Sequence, residues 1–224
     1  ALNNPNMNGL LCIKSYICCR CKSQKNMEGK YKKEGRYSYF EAGEGTPILV
    51  LHGLMGGLSN FNGVASYFSS CGYKVLIPEL PLYSQNILKT NVKSFAKYVK
   101  DFINFKGFDR VILLENSLGG HIALYYAKAY PEKVAGLVLT GSSGLYESAM
   151  GSGYTKRSDY EVIKKKVQDV FFDPAIATKA IVDDVYETVN DRKKLVKTLA
   201  IAKSAIRHNM AKDLPSLNIP TCVI

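Results

Sequence analysis

Val111-Ile112-Leu113-Leu114-Glu115-Asn116-Ser117-Leu118-Gly119-Gly120 is an apolar run that breaks at a serine, meets two glycines and then resumes at helical spacing. Val111 to Leu114 reads as a buried parallel strand, because a strand covered on both faces carries continuous aliphatic residues. From Leu118 the apolar residues Leu118, Ile122, Tyr126 and Ala129 recur at helical steps, and Pro131 predicts where that helix stops. A serine between such a strand and such a helix sits on a tight turn, its hydroxyl exposed and the helix N-terminus behind it. The backbone N–H of Leu118 then faces any negative charge that develops at a carbonyl attacked from Ser117. Close packing of strand against helix needs small residues two positions either side of the serine. Gly119 meets that need, and Glu115 does not.

A second element upstream points the same way. Ile48-Leu49-Val50-Leu51 is another short buried-strand run, and it leads into His52-Gly53-Leu54-Met55-Gly56-Gly57. A tetrahedral oxygen needs two convergent donors, and a glycine-rich turn just after a strand supplies the second backbone N–H, expected from Leu54. His52 in this position is expected to buttress the turn rather than to act as a base. A His-Gly turn alone is a weak signal; paired with a serine turn about 60 residues later it becomes a specific one.

These stretches together resemble the α/β-hydrolase family, and the likeness runs over residues 34 to 224. Ile48 to Gly57 resembles the family's strand and oxyanion loop, Gly72 to Pro81 its next strand and loop, and Asn116 to Gly120 its nucleophile elbow. Leu137-Val138-Leu139 followed by Thr140-Gly141-Ser142-Ser143-Gly144 resembles the strand after the nucleophile helix, leading into a helical cap. Leu217 to Ile224 resembles the return to the core sheet. The resemblance implies a mostly parallel α/β sheet with helices on both faces and an inserted helical cap. It also implies hydrolysis of an ester or related carbonyl bond of a small molecule through a serine acyl-enzyme. Ser117 is then the nucleophile, Leu54 and Leu118 the oxyanion donors, and His52, Gly53, Asn116 and Gly119 the supports of loop and elbow. A serine argues against the family's dehalogenases and epoxide hydrolases, which use aspartate there. The family's acid and histidine follow the strand that begins near Thr221, so both are expected beyond Ile224. On this reading the chain is truncated, lacks the last strand and helices, and is expected to turn over little substrate as it stands. The alternatives are a hydrolase-fold protein that binds a small ligand or signals without efficient turnover, and an inert fragment.

The same reading divides the chain into a leader (1–26), a hydrolase core (27–145), a helical cap (146–212) and an incomplete return to the core (213–224). Residues 1–26 hold Cys12, Cys18, Cys19 and Cys21, four basic residues and no acidic ones, and show no period; Met27 begins ordinary globular text. A non-native or disordered leader is expected there. The apolar stretches are too short for a signal peptide, and the cysteine spacing matches no tetrahedral zinc pattern. No metal and no cofactor are expected. The chain's net charge of +11 falls when the leader is set aside, leaving 26 basic against 19 acidic residues. The remaining positive runs, Lys164-Lys165-Lys166 and Arg192-Lys193-Lys194, lie beside acidic residues on helices, which predicts solvated faces rather than a nucleic-acid surface. Only Cys71 and Cys222 remain in the body, which argues against a disulfide scaffold and fits the cytoplasm. No apolar run reaches the length that spans a membrane.

Strands are predicted near 36–41, 47–51, 74–78, 111–115, 135–140 and 219–224, alternating with helices. Val92 to Phe105 carries a full stripe of Val92, Phe95, Ala96, Val99, Phe102 and Ile103. Between about 146 and 212 three helical stripes replace the strands: Tyr160, Ile163, Val167, Val170 and Phe171; Ile181, Val185 and Val189; Leu195, Leu199, Ala202 and Ile206. His121 is expected to be a packing or surface residue, His208 to stabilise a helix C-terminus as a cation, and Asp183 and Asp184 to face solvent. Ser117 has a bland alternative too, as a helix N-cap. Glu115 has three readings: a single-base change, a natural substitution whose side chain turns to solvent, and a displaced catalytic acid. Because a carboxylate is costly to bury in a crowded turn, Glu115→Gly is expected to stabilise the domain.

Overall fold

Seven strands form one sheet in the order β1-β2-β4-β3-β5-β6-β7 in a computed structural model that describes residues 29–54, 58–145 and 156–224. The strands are β1 (Lys30–Glu34), β2 (Tyr37–Ala42), β3 (Thr46–Leu51), β4 (Tyr73–Pro78), β5 (Val111–Asn116), β6 (Val134–Thr140) and β7 (Thr221–Val223). β1 and β2 form an antiparallel hairpin laid antiparallel on β4, and every pairing from β4 to β7 is parallel. The strand expected near 36–41 is thus β2. Its hairpin partner β1 escapes prediction because Lys30, Lys32 and Lys33 give it an edge strand's polar surface without an apolar alternation.

Period-two alternation in β3 splits the core into two halves. Leu49 and Leu51 face one side, with Phe95, Phe102 and Ile122, while Ile48 and Val50 face the other, with Phe61, Ala65 and Val75. The first side is covered by α2 (Val92–Phe105) and α3 (Leu118–Ala129), the second by α1 (Asn62–Ser70). In α2 the predicted stripe is buried in full, together with Tyr98. Asn91 caps that helix by accepting from the Ser94 N–H at 2.9 Å, which satisfies one of the donors a helix start leaves open. Helix α3 runs as predicted, from just after Ser117 to just before Pro131.

Between β6 and β7 lie α4 (Tyr160–Gln168), α5 (Lys179–Asn190) and α6 (Arg192–Arg207). Ile163, Val167, Val182, Val185 and Val189 make a small separate core between α4 and α5. The stripe expected on α6 is displaced: Leu199 and Ile206 are exposed, and the buried face is Thr198, Ile201, Ser204 and Ala205. The reason is polar docking onto the sheet domain. Ser204 Oγ accepts from the Val92 N–H at the start of α2, at 3.0 Å, and the Thr198 and Tyr83 hydroxyls are 3.4 Å apart. Hydroxyls that serve an interface do not register in an apolar count. Similarly, α4 ends at Gln168, leaving Val170 outside the helix and 80% exposed. Cys71 is buried and disulfide-bonded, whereas the Cys222 thiol is free. The readings on 1–26, on Met55 to Gly57 and on the first ten residues of the cap lie outside the described residues. Among the described residues no helix is long and apolar enough to cross a membrane.

Candidate active site

The chain leaves β3 toward β4 on one side and β5 lies on the other, so the carboxyl ends of β3 and β5 flank the sheet's switch point, where open α/β sheets hold their ligands. Register sets the details. Leu51 pairs with Glu115, which brings the turn after β3 beside the turn after β5. A Cβ built on Gly53 would stand 3.2 Å from Ser117 Cβ, so the two turns touch.

Ser117 has φ 54° and ψ −118°, and among the described residues it is the one non-glycine with positive φ. Such a conformation costs about 1–3 kcal/mol and persists where the surroundings over-determine it. Those surroundings are visible. The Ser117 carbonyl accepts from the Gly120 N–H at 2.9 Å, the Ser143 N–H at 3.0 Å and the Ser143 hydroxyl at 3.2 Å. Asn116 is fixed to β6 by its Nδ2–H donating to the Thr140 carbonyl at 3.0 Å. The Ser117 side chain makes no capping hydrogen bond, so its hydroxyl is not spent on the helix. Leu118, the first residue of α3, belongs to the turn whose N–H groups have no partner within the helix. At Gly119 a Cβ would lie 2.1 Å from the Leu51 carbonyl oxygen, so α3 approaches β3 closely there.

His52 is 6% exposed and both its ring nitrogens are engaged. Nε2 accepts from the Leu80 N–H at 2.9 Å, which places the ring proton on Nδ1, 2.9 Å from the Gly53 carbonyl oxygen it donates to. Burial holds its pKa below the usual histidine value, so the neutral ring ties the turn after β3 to the loop after β4. His121 is fully buried; its Nε2 is 2.8 Å from the His208 carbonyl oxygen, and a Cβ on Gly144 would overlap its ring. His208 ends α6 with Nδ1 2.9 Å from the Ser204 carbonyl oxygen and its ring edge-on to Tyr125. Asp183 does not simply face solvent, since it accepts from the Tyr160 hydroxyl at 2.6 Å and from Lys179 at 2.5 Å.

Glu115 is fully buried, which excludes an escape to solvent. It sits between Leu51 and Leu139 on the central strand, where no route outward exists. Oε1 accepts from the Thr140 N–H at 2.9 Å and from the Ser142 hydroxyl. Oε2 has no hydrogen-bond partner. Burial raises the carboxyl pKa to about 7, against the opposing pull of Ser142 and Thr140. Sequence reasoning missed the fit around it. A Cβ on Gly120 would lie 2.3 Å from Glu115 Oε2, so the second glycine after the serine makes room for the carboxyl.

A cavity of about 450 Å³ opens between the strand ends and the inserted helices. His52, Leu54 and Tyr83 line it from the sheet domain, and Asp184, Thr188 and Lys194 from α5 and α6. Among the described residues no group of three His, Cys, Asp or Glu side chains is placed to hold a metal ion.

This sheet order, with a strained serine at the switch point, defines a class, and the comparison of sequences agrees with it. The profile of the alpha/beta hydrolase fold matches residues 46–181, and the chain belongs to that family. It is 58% identical to MGS-MChE2, an alpha/beta hydrolase enzyme from the metagenome of sediments from the lagoon of Mar Chica, Morocco. That likeness has a TM-score of 0.70 and covers 87% of this chain and 74% of that one. It is 26% identical over 182 residues to a 2-hydroxy-6-oxo-6-phenylhexa-2,4-dienoate hydrolase of Comamonas testosteroni, covering 73% of this chain and 63% of that protein. It is also 26% identical to a 2-hydroxy-6-oxononadienedioate/2-hydroxy-6-oxononatrienedioate hydrolase of a Pseudomonas species, covering 82% of this chain and 72% of the relative. The chain thus spans less than two thirds of the first of these curated relatives.

Proposed function

We propose that this protein is a serine hydrolase acting on an ester or related carbonyl bond of a small molecule through a covalent acyl-enzyme. The observation that carries the proposal is the conformation of Ser117, held at positive φ between β5 and α3 with its hydroxyl uncommitted. In this reading Ser117 Oγ attacks the carbonyl carbon. The N–H groups of Leu54 and Leu118 receive the oxygen as it becomes negative, in a site where no reorganisation is needed. His52 and Gly53 hold the first donor's loop, while Asn116 and Gly119 hold the elbow. Each described histidine has a ring nitrogen engaged away from Ser117, and none of them is assigned as the base. Residues 146–212 serve as a cap, whose Asp184, Thr188 and Lys194 line the cavity beside the turn of His52 and Leu54. Relatives named for 6-oxo dienoates support a small carbonyl compound as substrate. Nucleic acid and membranes have no part in this reading, and the cytoplasm remains its proposed location, with the Cys71 disulfide as the feature that calls for a direct thiol-labelling check.

The test compares the full-length protein with Ser117→Ala in hydrolysis of short-chain nitrophenyl esters and in labelling by a fluorophosphonate. Loss of both in the alanine variant is expected; unchanged hydrolysis would refute the assignment. The engagement of all three histidines favours one second reading, a hydrolase-fold protein that binds or senses a small ligand. Thermal stabilisation by the carbonyl compound without any product formed distinguishes it.

A further inference from the structure

The carboxyl of Glu115 has the bonding pattern of a neutral acid. Both donors that reach it, the Thr140 N–H and the Ser142 hydroxyl, go to Oε1, which is the arrangement of a carbonyl oxygen. Oε2 is buried without a partner, so an anion would leave a charged oxygen unsolvated, whereas a proton on that atom removes the charge. Its surroundings offer no counter-charge. The neighbours in register are Leu51 on β3 and Leu139 on β6, and α3 meets it with Gly120, whose N–H is already given to Ser117. Along those elements the titratable residues close by are His52, one past Leu51 and held neutral, and His121, one past Gly120 and bonded toward His208. The loop after β6, Thr140 to Gly144, contains no titratable side chain.

That loop matters because it supports the serine. Glu115 holds it through Thr140 and Ser142, and the next residue, Ser143, gives both its N–H and its hydroxyl to the Ser117 carbonyl. We propose that Glu115 is a positioning residue that works as a neutral acid, clamping the β6 loop that holds Ser117 in its strained turn. Loss of its proton leaves an unsolvated negative charge beneath the elbow, and that desolvation cost outweighs what the Thr140 and Ser142 donors return, so the loop opens to relieve it. The carboxyl's titration near pH 7 sets the range in which this happens. The consequence is a site that weakens on the alkaline side, where a serine–histidine pair by itself gains activity as the histidine loses its proton. The proposal rests on Ser117 as nucleophile, and two readouts separate the two ideas.

The first is the rate of fluorophosphonate labelling of Ser117 from pH 6 to pH 9, in the full-length protein and in Glu115→Gln, which keeps the carbonyl acceptor but cannot ionise. The parent-to-variant rate ratio is expected to fall at least about tenfold over this range, because the protonated fraction of a group titrating near 7 drops from about nine-tenths at pH 6 to about one-hundredth at pH 9. Glu115→Ala is expected to label slowly at every pH, and the glutamine variant to restore the acid-side rate. The second readout, amide hydrogen exchange at Thr140 and Ser143, needs no activity. At pH 8.5 the parent is expected to exchange about tenfold faster there than Glu115→Gln, and equally at pH 6. Absence of labelling in both proteins refutes Ser117 alone, and the exchange result then decides the clamp. A labelling ratio that stays level with pH, or parent exchange no faster than that of the glutamine variant, overturns the clamp.

Discussion

Replacing Glu115 by Gln should remove one pH-dependent contribution to stability. In the folded protein the carboxyl keeps its proton up to about pH 7, whereas the unfolded chain releases it near 4.5. Between those values the native state binds more protons, so its stability falls as pH rises. The favourable contribution is fully present below pH 4.5 and is lost as pH passes through 7. A shift of that size corresponds to about 3 kcal/mol at pH 8.5. Glutamine preserves the acceptor for Thr140 and Ser142 but puts two N–H groups where Oε2 was unpartnered, a pH-independent cost of about 1 kcal/mol. The variant is therefore expected to melt slightly below the parent at pH 4.5 and above it at pH 8.5. The Tm difference should swing by roughly 4–12 °C between the two, for a chain of this size. Calorimetry at half-unit pH steps measures the swing. A Tm difference that does not change with pH would refute the protonated, desolvated carboxyl. Glycine at this position, expected from sequence to relieve strain, removes the desolvated acid but also leaves the Thr140 N–H and Ser142 hydroxyl without their acceptor.

Gly119→Ala should cost at least about 1–3 kcal/mol in chemical denaturation and slow Ser117 labelling, because its Cβ meets a backbone oxygen rather than a movable side chain; an unchanged midpoint and rate would contradict the contact. His52→Ala strands the buried Leu80 N–H and is expected to lose about 1–3 kcal/mol. His52's own pKa is depressed, so its contribution is present above the ordinary histidine value and fades as pH falls through the folded one. The destabilisation should therefore shrink toward pH 5 in a denaturation series. On α6, Ile201→Ala is expected to cost about 2–4 kcal/mol and Leu199→Ala less than about 1 kcal/mol; equal losses would return the buried face to the apolar stripe.

The parts read most directly from the sequence are those whose pattern repeats a local rule. Val111 to Leu114 and Ile48 to Leu51 became central parallel strands because a continuous aliphatic run suits a strand covered on both faces. The α2 stripe was legible because all its side chains are apolar and buried in the main core cluster. By contrast, β1 is held by the backbone pairing of its five residues, and α6 docks through Thr198 and Ser204, neither of which leaves an apolar signature. Of the site, Ser117, Gly119 and His52 were readable from position and residue type. The role of Gly120 was not, since it follows from contact with a carboxyl five residues away across a turn.

The sequence by itself therefore determined the strand–serine–helix turn, the glycine that lets the helix approach β3 and the family to which the chain belongs. These depend on neighbours in the chain and on periodicity, which are local properties. Only the tertiary structure decided what becomes of Glu115. Its ionisation depends on what surrounds it in space: two donors from the loop after β6, a glycine face on α3 and complete burial. Desolvation is a property of the assembled core, and no spacing along the chain encodes it.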